Sequence, residues 1–230
     1  MKFDPARVVT LADAFVDPRD SGTPGEAAAL DRMAVELQGA GWDLERQSVV
    51  RRGVSTIRLP ALFRHAVPTV EARTPEAPTG LPIVTIVVRA ATPPRCRGDN
   101  RLGLAFLVEL ARSWPKSVRN RVDVRFVVQG GPRGASGPVA SASHLVIEIA
   151  DPGLGPTLFI AGTKSQLALD AARDLWVPYA AFRPRMGSID PRASVVIAGD
   201  LRNTTVDEAA IGRAAQLVVE VALRWARSRT

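Results

Sequence analysis

Residues 83–88, Ile-Val-Thr-Ile-Val-Val, form an unbroken β-branched run. A run with no polar alternation fits a strand buried on both faces, the situation of an inner strand in a parallel sheet. The chain around it must then supply further buried strands and the helices that cover them. It does so in alternation. A loop rich in Pro and Arg spans 91–99, and Leu102, Ala105, Phe106, Leu107 and Leu110 follow at helical spacing up to Trp114-Pro115. Residues 122–128 read as the next buried strand, 130–138 as a glycine-rich loop, and 145–149 as a third strand that ends at Asp151-Pro152-Gly153. A short strand over 157–160, a helix over 164–174 and a strand over 193–198 continue the pattern. Strands alternating with helices predict an α/β sandwich.

The flanks fit this frame. Thr23 and Glu26 have capping-box spacing with Pro24 at the first helical position, so a helix is predicted to about Gln38. Leu30, Met33, Val35 and Leu37 supply its apolar side, and Gly39 and Gly41 end it. Residues 54–59 and 67–72 alternate and predict two half-buried strands, paired as a hairpin. Residues 74–82 form a loop. Thr205 and Glu208 suggest a second capping box. It would open a long helix with Ile211, Ala215, Val218, Ala222 and Trp225 on one face. No repeat, low-complexity tract or linker divides the chain, so a single domain over 1–230 is expected.

Composition narrows the function classes. The chain has 230 residues and a net charge of +7. Only Lys2, Lys116 and Lys164 are lysines, and the other basic residues are arginines, as GC-rich coding would give. The arginines are scattered and only one tyrosine is present, so the basic patch with interleaved aromatics that nucleic acid requires is missing. Nucleic acid is not expected as a partner. No run approaches the ~18 apolar residues of a membrane span, and the N-terminus has no signal-peptide core, so a cytoplasmic protein off the membrane is expected. The lone Cys96 excludes both an internal disulfide and a thiolate zinc cluster.

Sites in open α/β sheets form at the carboxyl ends of strands, here the loops after Val88, Val128 and Ile149. These loops carry a resemblance. Ser21-Gly22-Thr23-Pro24-Gly25-Glu26, Gly98-Asp99-Asn100-Arg101-Leu102-Gly103 with the helix after it, Gly130-Gly131-Pro132-Arg133-Gly134-Ala135-Ser136-Gly137, Ser188-Ile189-Asp190 and the final helix follow one another in an order that resembles the di-zinc aminopeptidases and their glutaminyl cyclase relatives. The resemblance runs over nearly the whole chain. It implies a three-layer α/β sandwich with a mostly parallel central sheet, the zinc-aminopeptidase-like (phosphorylase/hydrolase-like) fold. It also implies two zinc ions that share a bridging carboxylate, and a glutamate base. Two adjacent metals polarise the peptide carbonyl and acidify a bridging water, and the carboxylate takes its proton.

Carried over by position, most of that set is missing. The first histidine falls at Ala91 and the aspartate that orients it at Pro93. The bridging aspartate is kept as Asp99. The base and ligand glutamates fall at Gly131 and Pro132. The next aspartate falls at Ala150, with Asp151 one residue on, and no histidine lies in 199–203. The two histidines of the chain are elsewhere: His65 in the early strand region, His144 before a strand and so at the opposite end of the sheet. One aspartate cannot stand in for the five or six ligands of such a centre. The expectation is a protein without a zinc cofactor and without catalytic residues.

Asp99-Asn100 then reads as an N-cap for the helix that follows. Arg89, Arg95, Arg97, Arg101 and Arg133 flank the former site positions. They suit a small anion, since arginine forks match carboxylate or phosphate, or an internal pair with Asp99; a solvated basic surface is the plainer alternative. Cys96 has no histidine placed to activate it. Ser136 lacks the strand–Gly-x-Ser-x-Gly form of a nucleophile elbow. Gly130, Gly131 and Gly134 are too few for a dinucleotide loop. The expected function is a catalytically inactive aminopeptidase homologue that binds a small anion, a peptide terminus or a protein partner. The alternatives are an active metallohydrolase with atypical ligands and a structural subunit that kept the fold alone.

Overall fold

The computed structural model describes residues 2–16, 19–50, 66–75, 79–91, 100–131, 144–181, 194–200 and 203–229. Helix α1 (Pro5–Ala12) opens the chain. Asp4 caps it by accepting from the N–H groups of Ala6 and Arg7, Pro5 stands in the first turn, and a 3-10 turn, Asp13–Phe15, continues it. Helix α2 (Pro24–Gly39), capped by Thr23, follows. Strands β1 (Asp43–Val50) and β2 (Ala66–Arg73) come next, then β3 (Ile83–Arg89). Helix α3 (Arg101–Ser113) and the short α4 (Lys116–Arg119) precede β4 (Asp123–Gln129), β5 (His144–Ala150) and β6 (Leu158–Ala161). Helix α5 (Ser165–Asp174), β7 (Tyr179–Ala181), β8 (Val195–Ala198) and helix α6 (Glu208–Arg227) complete the order.

The strands join one eight-stranded sheet in the order β1-β2-β4-β3-β5-β8-β6-β7. The centre is parallel: β3 pairs with both β4 and β5, and β5 with β8. β1–β2, β2–β4 and β6–β8 are antiparallel, and the edge strand β7 runs parallel to β6. The α/β architecture and its parallel centre are those expected. The β-branched run forms β3, where Val84, Ile86 and Val88 are fully buried on one face and Val87 is 4% exposed on the other.

Period-two alternation divides the core. Val84, Ile86, Val88, Val124, Phe126, Ile147 and Ile197 face the buried residues of α1, α2, α3, α5 and α6 in the main cluster. Val87, Val127, Val146, Ala161 and Val196 form a smaller cluster on the other face. That face turns ionic toward β1, where Glu45, Arg73, Glu71, Arg125 and Asp123 alternate in sign across three strands at 2.7 to 3.5 Å. Trp42 fixes the start of β1 below α3. Its indole N–H donates to the Ala111 carbonyl at 3.1 Å, and its ring meets Phe126 edge-on at 4.7 Å. Among the described residues no helix is long and apolar enough to cross a membrane.

Several sequence expectations need correction. β2 pairs antiparallel with residues 43–50 on one side and with β4 on the other, not with the predicted 54–59, which lie outside the described residues. Thr205 does not cap the last helix. Asp207 does, its Oδ1 accepting from Ala210 N–H at 2.8 Å, because the chain first makes an Asx turn in which Asn203 Oδ1 accepts from Thr205 N–H. Val35 is 68% exposed rather than on the buried side of α2. Helix α1, which has no counterpart among the expected elements, starts at Asp4-Pro5, a helix-start signal with the aspartate as N-cap and proline at the first position. Strand β7, three residues between turns, carries too short a pattern to be read.

His144 opens β5, at the amino ends of the parallel strands. Its Nε2 lies 2.6 Å from Thr85 Oγ1 on β3. Burial, and then the charges of Arg125 and Lys164, hold its pKa below the usual histidine value, against an opposing pull from Glu71 and Asp123. A depressed pKa disfavours the protonated form in the folded state. The associated stability is present above about pH 6.5 and is lost as pH falls toward and through the folded-state value. Urea unfolding across pH 7.5 to 5 (~0.5 unit steps) should show a slope that His144→Gln reduces by up to one proton. Equal slopes for the two proteins would rule this out.

Candidate functional site

The carboxyl ends of β4, β3 and β5 lie side by side in the sheet, and β8 follows β5. The structure therefore brings together three of the positions singled out in sequence. Ala91 lies just past β3, Gly131 just past β4, and Ala150 at the end of β5. Asp99, Pro132, Arg95, Arg97, Arg133, Pro93, Cys96, Ser136 and His65 lie outside the described residues.

The polar centre of the described site is Asp151. Its carboxylate is 3% exposed, accepting from Asn100 N–H at 2.9 Å through Oδ2 and reaching Gly103 N–H at 3.4 Å through Oδ1. These are unsatisfied amides of the first turn of α3, where the helix dipole favours negative charge. Asn100 occupies the N-cap position expected from sequence, but its side chain makes no capping bond. Instead Asn100 Oδ1 accepts from Asp151 N–H at 3.1 Å, and Asn100 Nδ2 donates to the Arg89 carbonyl at 2.7 Å. The cap is thus supplied by Asp151 from a neighbouring strand end, 51 residues along the chain. The asparagine is freed to tie β3 to β5. Both residues take left-handed backbone conformations, Asn100 at φ 57 and Asp151 at φ 40, which Asn and Asp tolerate better than most side chains. Gly103 makes this close approach possible, since a Cβ there would stand 2.2 Å from Asn100 Oδ1.

Two more buried acids close the neighbouring strand ends. Glu26 is 2% exposed; its Oε2 accepts from Gly22 N–H at 2.8 Å and its Oε1 from Gly131 N–H at 2.6 Å. The glutamate predicted to complete a capping box therefore also pins the loop after β4 to the start of α2. Glu148 on β5 accepts from Arg89 Nε on β3 at 3.0 Å, both side chains at or below 10% exposure. Arg19, 1% exposed, donates from Nε to the Ala90 carbonyl at 3.1 Å. Arg101 lies on the first turn of α3, 40% exposed and 3.9 Å from Asp13. Sequence reasoning missed Arg19, Glu26 as a site residue, and Glu148, whose partners are long-range. Only the burial of Glu148 inside an apolar strand hinted at a pairing.

The loop after β8 packs directly on this centre. A Cβ at Gly199 would meet the Asp151 carbonyl oxygen at 2.2 Å, so this stretch approaches by backbone and leaves no room for a side chain there. Asp200 N–H then donates to the Leu154 carbonyl at 2.7 Å. A two-zinc centre needs several side-chain donors converging on open positions. The described residues do not fit one. Ala91, Gly131 and Ala150 carry no donor atom, Asp151 directs both oxygens at helix amides, and no group of three His, Cys, Asp or Glu is disposed for a metal among the described residues.

Nearly the whole chain superposes on solved structures that share its architecture. A leucine aminopeptidase precursor from Bacteroides thetaiotaomicron matches with TM-score 0.66 at 15% identity, over 96% of this chain and 97% of that one. A glutaminyl cyclase from Porphyromonas gingivalis matches with TM-score 0.63 at 15% identity, over 99% of both chains. A Zn-dependent exopeptidase from Parabacteroides distasonis matches with TM-score 0.59 at 13% identity, over 96% of this chain and 98% of that one. The chain has the zinc-exopeptidase and glutaminyl cyclase fold. No protein-family model and no curated protein matches the sequence.

Removing the Asp151 carboxylate should cost what a helix cap and a buried charge-assisted hydrogen bond cost together, about 2–4 kcal/mol for Asp151→Ala. Gly103→Ala should be comparably damaging, at roughly 2 kcal/mol, because Asn100 must move. Chemical denaturation of both variants checks this, with Asp31→Ala on the exposed face of α2 as the control. A loss for Asp151→Ala no larger than the control's would contradict the capping role.

Proposed function

We propose that this chain is a non-catalytic relative of the zinc exopeptidases and glutaminyl cyclases that binds a small anion or the carboxylate of a peptide terminus at the carboxyl ends of its central strands. The observation that carries the reading is the chemistry of the converging positions. Where the resemblance calls for metal ligands and a base, Ala91, Gly131 and Ala150 offer none, and Asp151 serves as the cap of α3. Metal-assisted peptide hydrolysis needs both a polarising cation and a proton acceptor beside the scissile bond. The anion preference rests on Arg101 at the N-terminal turn of α3, beside the positive end of the helix dipole, and on the further arginines that the sequence places in the adjoining loops. Arg89 supports the wall rather than the ligand, since its Nε is directed to Glu148.

Two measurements test this. With zinc or cobalt added, the full chain should release no product from aminoacyl anilides and cyclise no N-terminal glutamine; metal-dependent turnover by the purified protein would refute the non-catalytic reading. In thermal-shift titrations, acetate, citrate or inorganic phosphate should raise the melting temperature saturably, with stabilisation following roughly RT ln(1 + [L]/Kd). Arg101→Ala should weaken the response. A response identical for chloride and for every other anion would refute the anion site.

A further inference from the structure

The connection from α3 to β4 gathers positive charge without neutralising it. Residues 114–121 read Trp-Pro-Lys-Ser-Val-Arg-Asn-Arg and hold cations but no acid. The arginines on either side are paired, Arg112 with Glu36 at 2.6 Å and Arg125 with Asp123 at 2.9 Å. Lys116, Arg119 and Arg121 make no ion pair among the described residues. Lys116, Ser117, Asn120 and Arg121 are exposed, while Val118 and Val122 anchor the stretch in the main core.

Arg119 is the unusual member. It is half-buried, and its guanidinium carbon lies 4.3 Å from the centre of the Trp42 ring. Its Nε is buried with no hydrogen-bond partner among the described residues. Burial lowers its pKa from the usual arginine value and no acid opposes the shift. Arg73 and Arg224 shift the other way, raised first by hydrogen bonds to Glu71 and Asp174. Arg119 is not needed to finish α3 either. The Ala111 carbonyl accepts from the Trp42 indole, and the Glu109 carbonyl from the Ser113 hydroxyl. Stacking on an indole offsets part of the desolvation of a cation but leaves its in-plane donors unused. Trp42 is itself fixed by Ala111 and Phe126, so the guanidinium rests on a rigid platform.

The charge pattern selects the ligand. Lys116 and Arg119 stand three residues apart on α4 and so neighbour each other on one face. Arg121 follows two residues later. A carboxylate would neutralise one of these cations. A phosphate monoester carries about −1.5 to −2 charges and three acceptor oxygens, enough for a guanidinium fork and an ammonium together. We infer that Arg119, held on Trp42, and Lys116 form a site for the phosphate group of a small phosphate monoester, with Arg121 at its rim. The site is separate from the strand-end positions. Helix α4 lies at the amino end of β4, and the seven residues of that strand set it about 20 Å from Gly131. It therefore stands or falls independently of the anion proposed there.

Side-chain Nε–H spectra of the full chain, isotope-labelled at arginine, test the site. The Arg119 signal is assigned by its loss in Arg119→Lys. Glycerol phosphate, titrated at low and constant ionic strength, should shift that signal saturably, while acetate and chloride should not. Arg119→Met keeps an unbranched stem over Trp42 and should fold. It should bind glycerol phosphate at least about tenfold more weakly, read from the backbone amides of residues 116–121, as loss of charge-assisted hydrogen bonds implies. Lys116→Gln, at an exposed position, should weaken binding about threefold at low salt. Should Arg119→Met not fold, the Arg119 signal and Lys116→Gln decide the matter. Arg101→Ala should leave this titration unchanged, which separates a failure here from a failure at the strand ends. An Arg119 signal that does not move, or that moves equally with acetate, would overturn the inference. So would undiminished binding by Arg119→Met or by Lys116→Gln.

Discussion

The contact on which the site depends is the pair of bonds from the Asp151 carboxylate to the first turn of α3. A buried carboxylate is costly unless its charge is met, and the helix N-terminus meets it with fixed amide donors and a partial positive charge. The geometry is tight. It requires left-handed backbone at Asn100 and Asp151, the absence of a Cβ at Gly103, and a bare backbone at Gly199. In return, three strand ends and one helix are locked in register. Asn100 joins the Arg89 carbonyl on β3 to the Asp151 N–H after β5, and the loop after β8 lies against the same residue.

The neighbouring groups repeat the principle. Glu26 meets backbone amides of Gly22 and Gly131, Glu148 meets Arg89, and the Arg19 guanidinium meets the Ala90 carbonyl. Each buried acid or base in this region has a protein partner, which is the usual condition for a polar group in an interior. A metal centre instead keeps several side-chain donors directed at one point and open to a ligand. This contrast supports the proposed non-catalytic reading, in which the strand ends are stabilised by internal hydrogen bonds and the fold persists as a binding scaffold.

Much of this was legible in the sequence because it rests on local patterns. The β-branched run of β3 gave the buried centre, Thr23-Pro24 gave the start of α2, and the apolar spacing from Leu102 to Leu110 gave α3. The carboxyl ends of β3, β4 and β5 lie at one end of the sheet, as the parallel pattern predicts. The long-range contacts were not legible. Nothing near Asn100 in sequence shows that its helix is capped by Asp151, and the local rule that asparagine caps its own helix gave the wrong donor-acceptor pair. The role of Glu26 was read only in part for the same reason. Its neighbours in sequence suggest a capping box, while its bond to Gly131 depends on where β4 ends.

A two-zinc centre and a strand-end site whose acids are internally hydrogen-bonded differ most directly in what they retain from solution. Structural and catalytic zinc sites bind tightly because folding pre-assembles deprotonated ligands, and they hold the ion through dialysis. The decisive measurement is the zinc content of the full-length protein, purified with excess zinc and then dialysed, determined by elemental mass spectrometry alongside isothermal titration of the zinc-free form. A site organised by Asp151 and the α3 amides predicts substoichiometric zinc and no saturable heat. Retention of one or two zinc ions per chain would contradict it.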